Sequence, residues 1–399
     1  MLPLSVWGLA LGQALLITGN ILLVSVTALI GQQLAPAAAL VTLPVALQFL
    51  GLMGVTLPAA LLMRWLGRKK GFLLGNLIGV GGALLAYTAL ANENFYLFCL
   101  STFLLGMAIG VGQQYRFAAV EACSSRQSAQ AISLVMGGGV LAAFLGPNLA
   151  VWSQGFFPDN AFLGGFAVLA GLYLFTLVLI LSLPLHQPTQ AELARGGRGY
   201  LELLKQPRLI AAITSGSIGY GVMVLVMTAT PLAMQAQAFA FQNTASIIQW
   251  HVLGMFLPSF FTGRLITRLG APLVIQLGCS LLLLCVVVTQ LGQAYSHYWF
   301  ALVALGVGWN FTFIGATSLL TSTYAANEKA RVQGMNDFLV FGFSALGSLL
   351  AGQLQQALGW ELLNMMMLPP ILLAMLLVAF NLRKKRAGDD PAQEATSTH

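Results

Sequence analysis

Twelve apolar stretches recur along this chain of 399 residues, and they leave it little choice but to fold inside a lipid bilayer. Crossing the hydrocarbon as a helix takes about 20 apolar residues. The stretches run near 6–29, 38–63, 71–90, 95–120, 129–152 and 162–183, then 209–236, 245–266, 272–289, 298–323, 332–355 and 362–382. Only 7% of residues are charged, against about 25% in a soluble domain. No soluble fold of this length could bury so much apolar surface. The first stretch leads directly into a second span, which is not the pattern of a cleavable signal peptide.

The 18 Lys and Arg residues lie at 64, 68–70, 116, 126, 195, 198, 205, 208, 264, 268, 329, 331 and 383–386, at or near the connections after even-numbered spans or on the tail. The connections near 32–36, 92–94, 153–160, 237–243 and 292–297 carry none. Basic residues favour the cytoplasmic side, so both termini are expected there. The net charge of +7 is then a topology signal and points to no nucleic-acid partner. Cys99, Cys123, Cys279 and Cys285 lie in or beside apolar spans without a CxxC pair, and read as buried thiols acting as small hydrophobes.

The longest polar segment, 184–208, separates six spans from six and reads as a cytoplasmic linker between an N-terminal half, 1–183, and a C-terminal half, 209–382; the tail, 383–399, reads as polar and disordered. After span 2 the chain reads Arg64-Trp-Leu66-Gly67-Arg68-Lys69-Lys70, and after span 8 Gly263-Arg-Leu265-Ile-Thr267-Arg268-Leu269-Gly270. The two turns lie 203 residues apart, which points to two parallel six-helix repeats. These turns resemble the signature loop of the major facilitator superfamily, with Thr267 and Arg64 where that family prefers Asp and Ala60 at its first Gly. The resemblance implies an all-α membrane fold of twelve transmembrane helices in two pseudo-symmetric halves, a secondary transporter working by alternating access. It also implies that the protein works as a monomer.

Spans 7 and 8 carry Met223-x-x-x-Met227 and His251-x-x-x-Met255. Each pair is spaced i,i+4, on one face of a helix. The spans run antiparallel and the four residues are symmetric about position 239, in the connector. Met227 and His251 lie about 18 Å of helix from it, and Met223 and Met255 about one turn deeper. Three thioethers and an imidazole form a soft set that suits Cu(I). Pro231 and Pro258 should loosen the helices beside Met227 and Met255. Against this, methionine is common apolar filler and a lone MxxxM is more often packing. An imidazole inside a span is a functional hypothesis by default. Within the superfamily the paired motifs resemble the CcoA-like copper importers, a subfamily resemblance that also takes in riboflavin transporters. It implies copper as cargo, with riboflavin or another small organic molecule as the alternative. In that alternative Tyr115, Tyr220 and Trp250 line an aromatic cavity and the methionines are apolar wall. Met365-Met366-Met367 reads as filler.

Asp337, with Gln333 and Asn336, lies one to two turns into span 11 and reads as a gate residue paired with Arg68 or another loop cation, or as a proton-coupling site. Arg116 and Glu121 at the end of span 4, and Arg268, are expected to serve the same gate. Span 5 contains Gly137-Gly138-Gly139 and Gly146-Pro147, which faintly resemble an antiporter motif. However, Ala142 and Ala150 stand where that motif has glycine, leaving drug or metabolite efflux a weaker alternative. A non-transporting sensor or assembly partner is a further class. There is no P-loop and no enzyme constellation. His186 and His297 fall in loops, and His399 is terminal. The expected setting is a bacterial inner membrane, with the lipid bilayer and a small cargo as partners.

Overall fold

A computed structural model describes residues 2–37, 40, 43–157, 162–185, 187, 189 and 198–388. His186, His399 and much of the expected linker and tail lie outside the described residues. The principal helices are α1 (Leu4–Leu34), α2 (Leu43–Leu66), α3 (Arg68–Ala91), α4 (Phe95–Gly112), α5 (Tyr115–Glu121), α6 (Ser128–Gly137), α7 (Gly139–Trp152), α8 (Leu163–Ser182), α9 (Pro207–Ala236), α10 (Phe241–Phe256), α11 (Ser259–Leu269), α12 (Ala271–Leu291), α13 (Tyr295–Leu320), α14 (Lys329–Met365) and α15 (Leu368–Gly388). No strand forms among the described residues.

Ten stretches are long and apolar enough to cross a bilayer. One of them, Ala326–Phe380, is too long for a single crossing and turns at Gly359, whose φ of 73° and ψ of 176° suit glycine alone. Helices α10 and α11 are each short and cross as a pair. Counted this way, the described residues make twelve crossings. Helix α15 runs through the basic 383–386 segment, so the helix outlasts the tail boundary that composition suggests.

Three crossings are broken: span 4 at Gln113 and Gln114, span 5 at Gly138 and span 8 at Leu257 and Pro258. The last break follows from Pro258, which has no N–H to give. Asn310 of α13 repairs it. Its Nδ2 donates to the Met255 carbonyl and to Ser259 Oγ, each at 2.6 Å, and its Oδ1 accepts from Thr262 Oγ1 at 2.7 Å. Polar backbone freed at membrane depth is satisfied by a neighbouring helix. At Pro231, by contrast, α9 continues, because loss of one hydrogen bond need not end a 30-residue helix.

Helices α1–α8 form one half and α9–α15 the other. Across the boundary α2 packs on α14 and α6 on α11. At these seams small residues replace bulk: Gly334 abuts Leu57 and Ala60, and Gly263 abuts Ala129 and Gln130. Both seams lie towards the end of the bundle that carries the basic loops, here called the basic end. The repeat seen in the sequence returns in the backbone, because Gly67 and Gly270 both start helices with φ of 83°. Leu100, Val178, Leu284, Phe300 and Leu376 are exposed, as a lipid-facing surface requires.

Candidate functional site

The basic end is closed by charge. Arg68 Nη2 meets Glu121 Oε1 at 2.6 Å, its Nε donates to Glu121 Oε2 at 3.1 Å, and Lys329 Nζ approaches Glu121 Oε1 at 3.2 Å. Glu121 thus holds one cation from its own half and one from the other. Arg68 also donates to Gln114 Oε1 at 3.1 Å and to Gln333 Oε1 at 2.6 Å, and Gln333 donates onward to the Tyr324 hydroxyl at 2.7 Å. One layer deeper, Arg116 pairs with Asp337, both fully buried. Asp337 also accepts from Gln114 Nε2 and Asn336 Nδ2, each at 2.9 Å. Each layer joins the two halves. Four of the five expected gate residues, Arg68, Arg116, Glu121 and Asp337, therefore come together. Arg268 does not: it is exposed at the end of α11. Sequence reasoning missed Lys329, Tyr324 and Gln114, and left Gln333 beside Asp337 without a role. Gln113-Gln114 inside an apolar span was the available signal, and it also marks the break that turns α5 towards Asp337.

The opposite end is open. A cavity of about 1070 Å³ lies between the halves, bounded by Ile21 of α1, Phe144 and Asn148 of α7, Pro231 and Gln235 of α9, and Gln249 and Val252 of α10. One turn beyond Val252, towards the basic end, Phe256 begins an aromatic cluster. Its ring lies 5.7 Å from Trp309, which stacks on Phe313 at 5.2 Å and 13°. Tyr220 meets Trp309, Phe313 and Phe341 edge-on at 5.3, 5.2 and 5.6 Å. The Arg116 guanidinium lies 4.6 Å from the Phe313 centroid and 4.7 Å from that of Phe117. Cavity, aromatic floor, buried ion pair and outer ion pair thus follow one another towards the basic end.

The four soft-ligand candidates are arranged differently from the sequence expectation. Helix α13 packs extensively on both α9 and α10, while α9 and α10 touch only slightly. His251 is fully buried, and its Nδ1 lies 2.8 Å from the Leu302 carbonyl of α13. With that oxygen as acceptor, Nδ1 carries the proton and Nε2 is left without a partner. Met223 and Met255 are buried and Met227 is half-buried. Adjacency in sequence does not make α9 and α10 spatial neighbours, because α13 fills the place between them. No cluster of three His, Cys, Asp or Glu with metal-binding spacing occurs among the described residues.

Of the aromatic candidates, Tyr220 belongs to the cluster. Tyr115 is packed in the N-terminal half, 4.5 Å from the Phe72 ring, with its hydroxyl accepting from Asn76 Nδ2 at 3.1 Å. Trp250 is half-exposed against Trp299 at 5.6 Å, on a face of α10 away from Gln249 and Val252. Phe256, Trp309, Phe313 and Phe341 were missed, because aromatic residues in uniformly apolar helices carry no facing signal. Cys99, Cys279 and Cys285 are buried free thiols; Cys123 is half-buried, and burial pushes its thiol up.

Residues 9–346 match the model of the Major Facilitator Superfamily. The chain is 40% identical over 383 residues to the riboflavin transporter RfnT of Brucella anthropi, covering 95% of this chain and 96% of that protein. It is 31% identical to the uncharacterized transporter YdeG of Bacillus subtilis, covering 83% of this chain and 81% of that one. A crystal structure of the transporter FucP in the outward conformation superposes with a TM-score of 0.76 at 14% identity, covering 94% of this chain and 98% of that one.

Proposed function

We propose that this chain, which belongs to the major facilitator superfamily, carries riboflavin or a similar flat organic molecule across a bacterial inner membrane by alternating access. The observation that carries the reading is the aromatic cluster, here called the floor, that begins one helical turn beyond a cavity bounded by both halves. Tyr220 is the half-buried ring of this cluster and would meet a planar cargo first, whereas Phe256 and Trp309 are buried. A cavity of about 1070 Å³ accommodates a molecule of that size. The relative at 40% identity, a riboflavin transporter, supports the same choice.

The basic loops support a cytoplasmic position for the closed end and both termini. The cavity then faces the periplasm, ready to load. Arg68, Glu121 and Lys329 form an outer lock and Arg116 and Asp337 an inner one, and import requires both to part. One chain contains the whole path, in keeping with a monomer. Copper has weaker support as cargo, since the two motif helices meet α13 more than each other.

The test is uptake in cells of labelled riboflavin and, in parallel, of copper, by wild type, Tyr220→Ala and His251→Ala. The reading expects riboflavin accumulation that Tyr220→Ala abolishes and His251→Ala spares. Wild type that accumulates copper but not riboflavin would refute it.

A further inference from the structure

The geometry points to Arg116 as the side chain for which cargo and the closed end compete, so that binding loosens the inner lock. The inference rests on the aromatic-floor reading above and adds how the cargo is recognised. Arg116 is 1% exposed, yet only its Nη2 meets Asp337; Nε and Nη1 have no acceptor. Trp309, also 1% exposed, has no acceptor for its Nε1. Buried donors without partners are uncommon in folded proteins and call for an explanation. These belong to one contiguous cluster: the guanidinium lies over Phe313, Phe313 stacks on Trp309, and Tyr220 caps both rings. Tyr220 is only half-buried and is the ring a cargo would displace first.

The class of cargo follows from the donors. Several N–H groups beside aromatic faces suit a planar ring system with neighbouring carbonyl or ring-nitrogen acceptors. The pyrimidine-dione edge of a flavin is such a group. Guanidinium is a planar fork able to serve two acceptors, unlike an ammonium. Both two-donor edges of the guanidinium, Nε with Nη2 and Nη1 with Nη2, include the Nη2 that Asp337 holds, so a cargo presenting two neighbouring acceptors must share Arg116 with Asp337. The inner lock weakens only when the floor is occupied. That is a differential interaction with two states, which coupling requires.

The test uses the full-length protein in lipid nanodiscs and reads equilibrium binding of riboflavin from its fluorescence. Anthracene, a planar tricycle with no hydrogen-bond acceptors, serves as the control ligand. Trp309→Phe removes one donor and keeps a ring, so riboflavin affinity should fall roughly fivefold, as for one lost neutral hydrogen bond. Arg116→Lys keeps the charge facing Asp337 and loses the fork, so the fall should be about tenfold or more. Anthracene binding should be unchanged in both. Asp337→Asn, which releases Arg116 from its anion, should tighten riboflavin binding, a sign opposite to that of a merely structural defect. The inference is overturned if both donor variants bind riboflavin like wild type, if riboflavin and anthracene weaken equally, or if Asp337→Asn fails to tighten. Failure of wild type to bind riboflavin at all would sink the functional reading, and this one with it.

Discussion

Glu121→Ala should release the basic end. In the closed arrangement Glu121 is the carboxylate shared by Arg68 at 2.6 Å and Lys329 at 3.2 Å, with side-chain exposures of 10%, 6% and 17%. Removing one partner of a buried pair costs about 3–5 kcal/mol, because charge is left facing low dielectric. The penalty falls on the closed arrangement alone, since opening this end lets water reach both cations. Taking the lower figure, the balance moves by about two orders of magnitude towards opening, at 1.4 kcal/mol per tenfold. Spin labels on Ser124→Cys and Arg268→Cys, exposed positions on opposite halves, would report it as a longer-distance population absent from wild type. Adding Arg68→Met should recover part of the loss, because one buried cation then replaces two. An unchanged distance distribution in Glu121→Ala, with unchanged melting, would refute the assignment of this end as an electrostatic lock.

Other outcomes follow from particular contacts. A Cβ on Gly263 would lie 2.7 Å from both the Ala129 carbonyl and Gln130 Cα, so Gly263→Ala should cost about 1–3 kcal/mol by overpacking and open the same end, read with the same labels. Gly359→Ala meets nothing within 4 Å, so its cost is backbone strain of about 1–3 kcal/mol; melting temperature should fall with riboflavin binding intact. His251→Ala removes the contact to Leu302 and should destabilise by about 1–3 kcal/mol in thermal unfolding, with cellular copper unchanged. Tyr220→Leu gives up three ring contacts, and riboflavin affinity should drop about tenfold by titration.

Much of the fold was legible because the bilayer makes length and charge decisive. Apolar runs located the spans, the basic residues chose one end, and the twin turns at Gly67 and Gly270 revealed the duplication. Gate residues were legible too, since charges at membrane depth are few and must find one another. Helix neighbours were not. The 7–8 hairpin invited Met223, Met227, His251 and Met255 to face each other, but helices apolar on every side do not state which face meets which partner. Only the assembled bundle put α13 between them and drew Phe256, Trp309 and Phe313 into one floor. Pro258 announced a break, whereas its repair by Asn310 depended on a residue 52 positions later.

The two ends are held by different physics. Among the described residues, the Lys and Arg side chains belong to the basic side, and the far mouth has no such cation with which to form a lock of its own. Once parted, the charges of the basic side gain both water and counter-ions, whereas closure of the far mouth must depend on amides and apolar contact. Electrolyte in the compartment bathing the basic side therefore becomes a one-directional bias on the resting state. A rise in its ionic strength favours unlocking there, with no equal and opposite response from across the membrane.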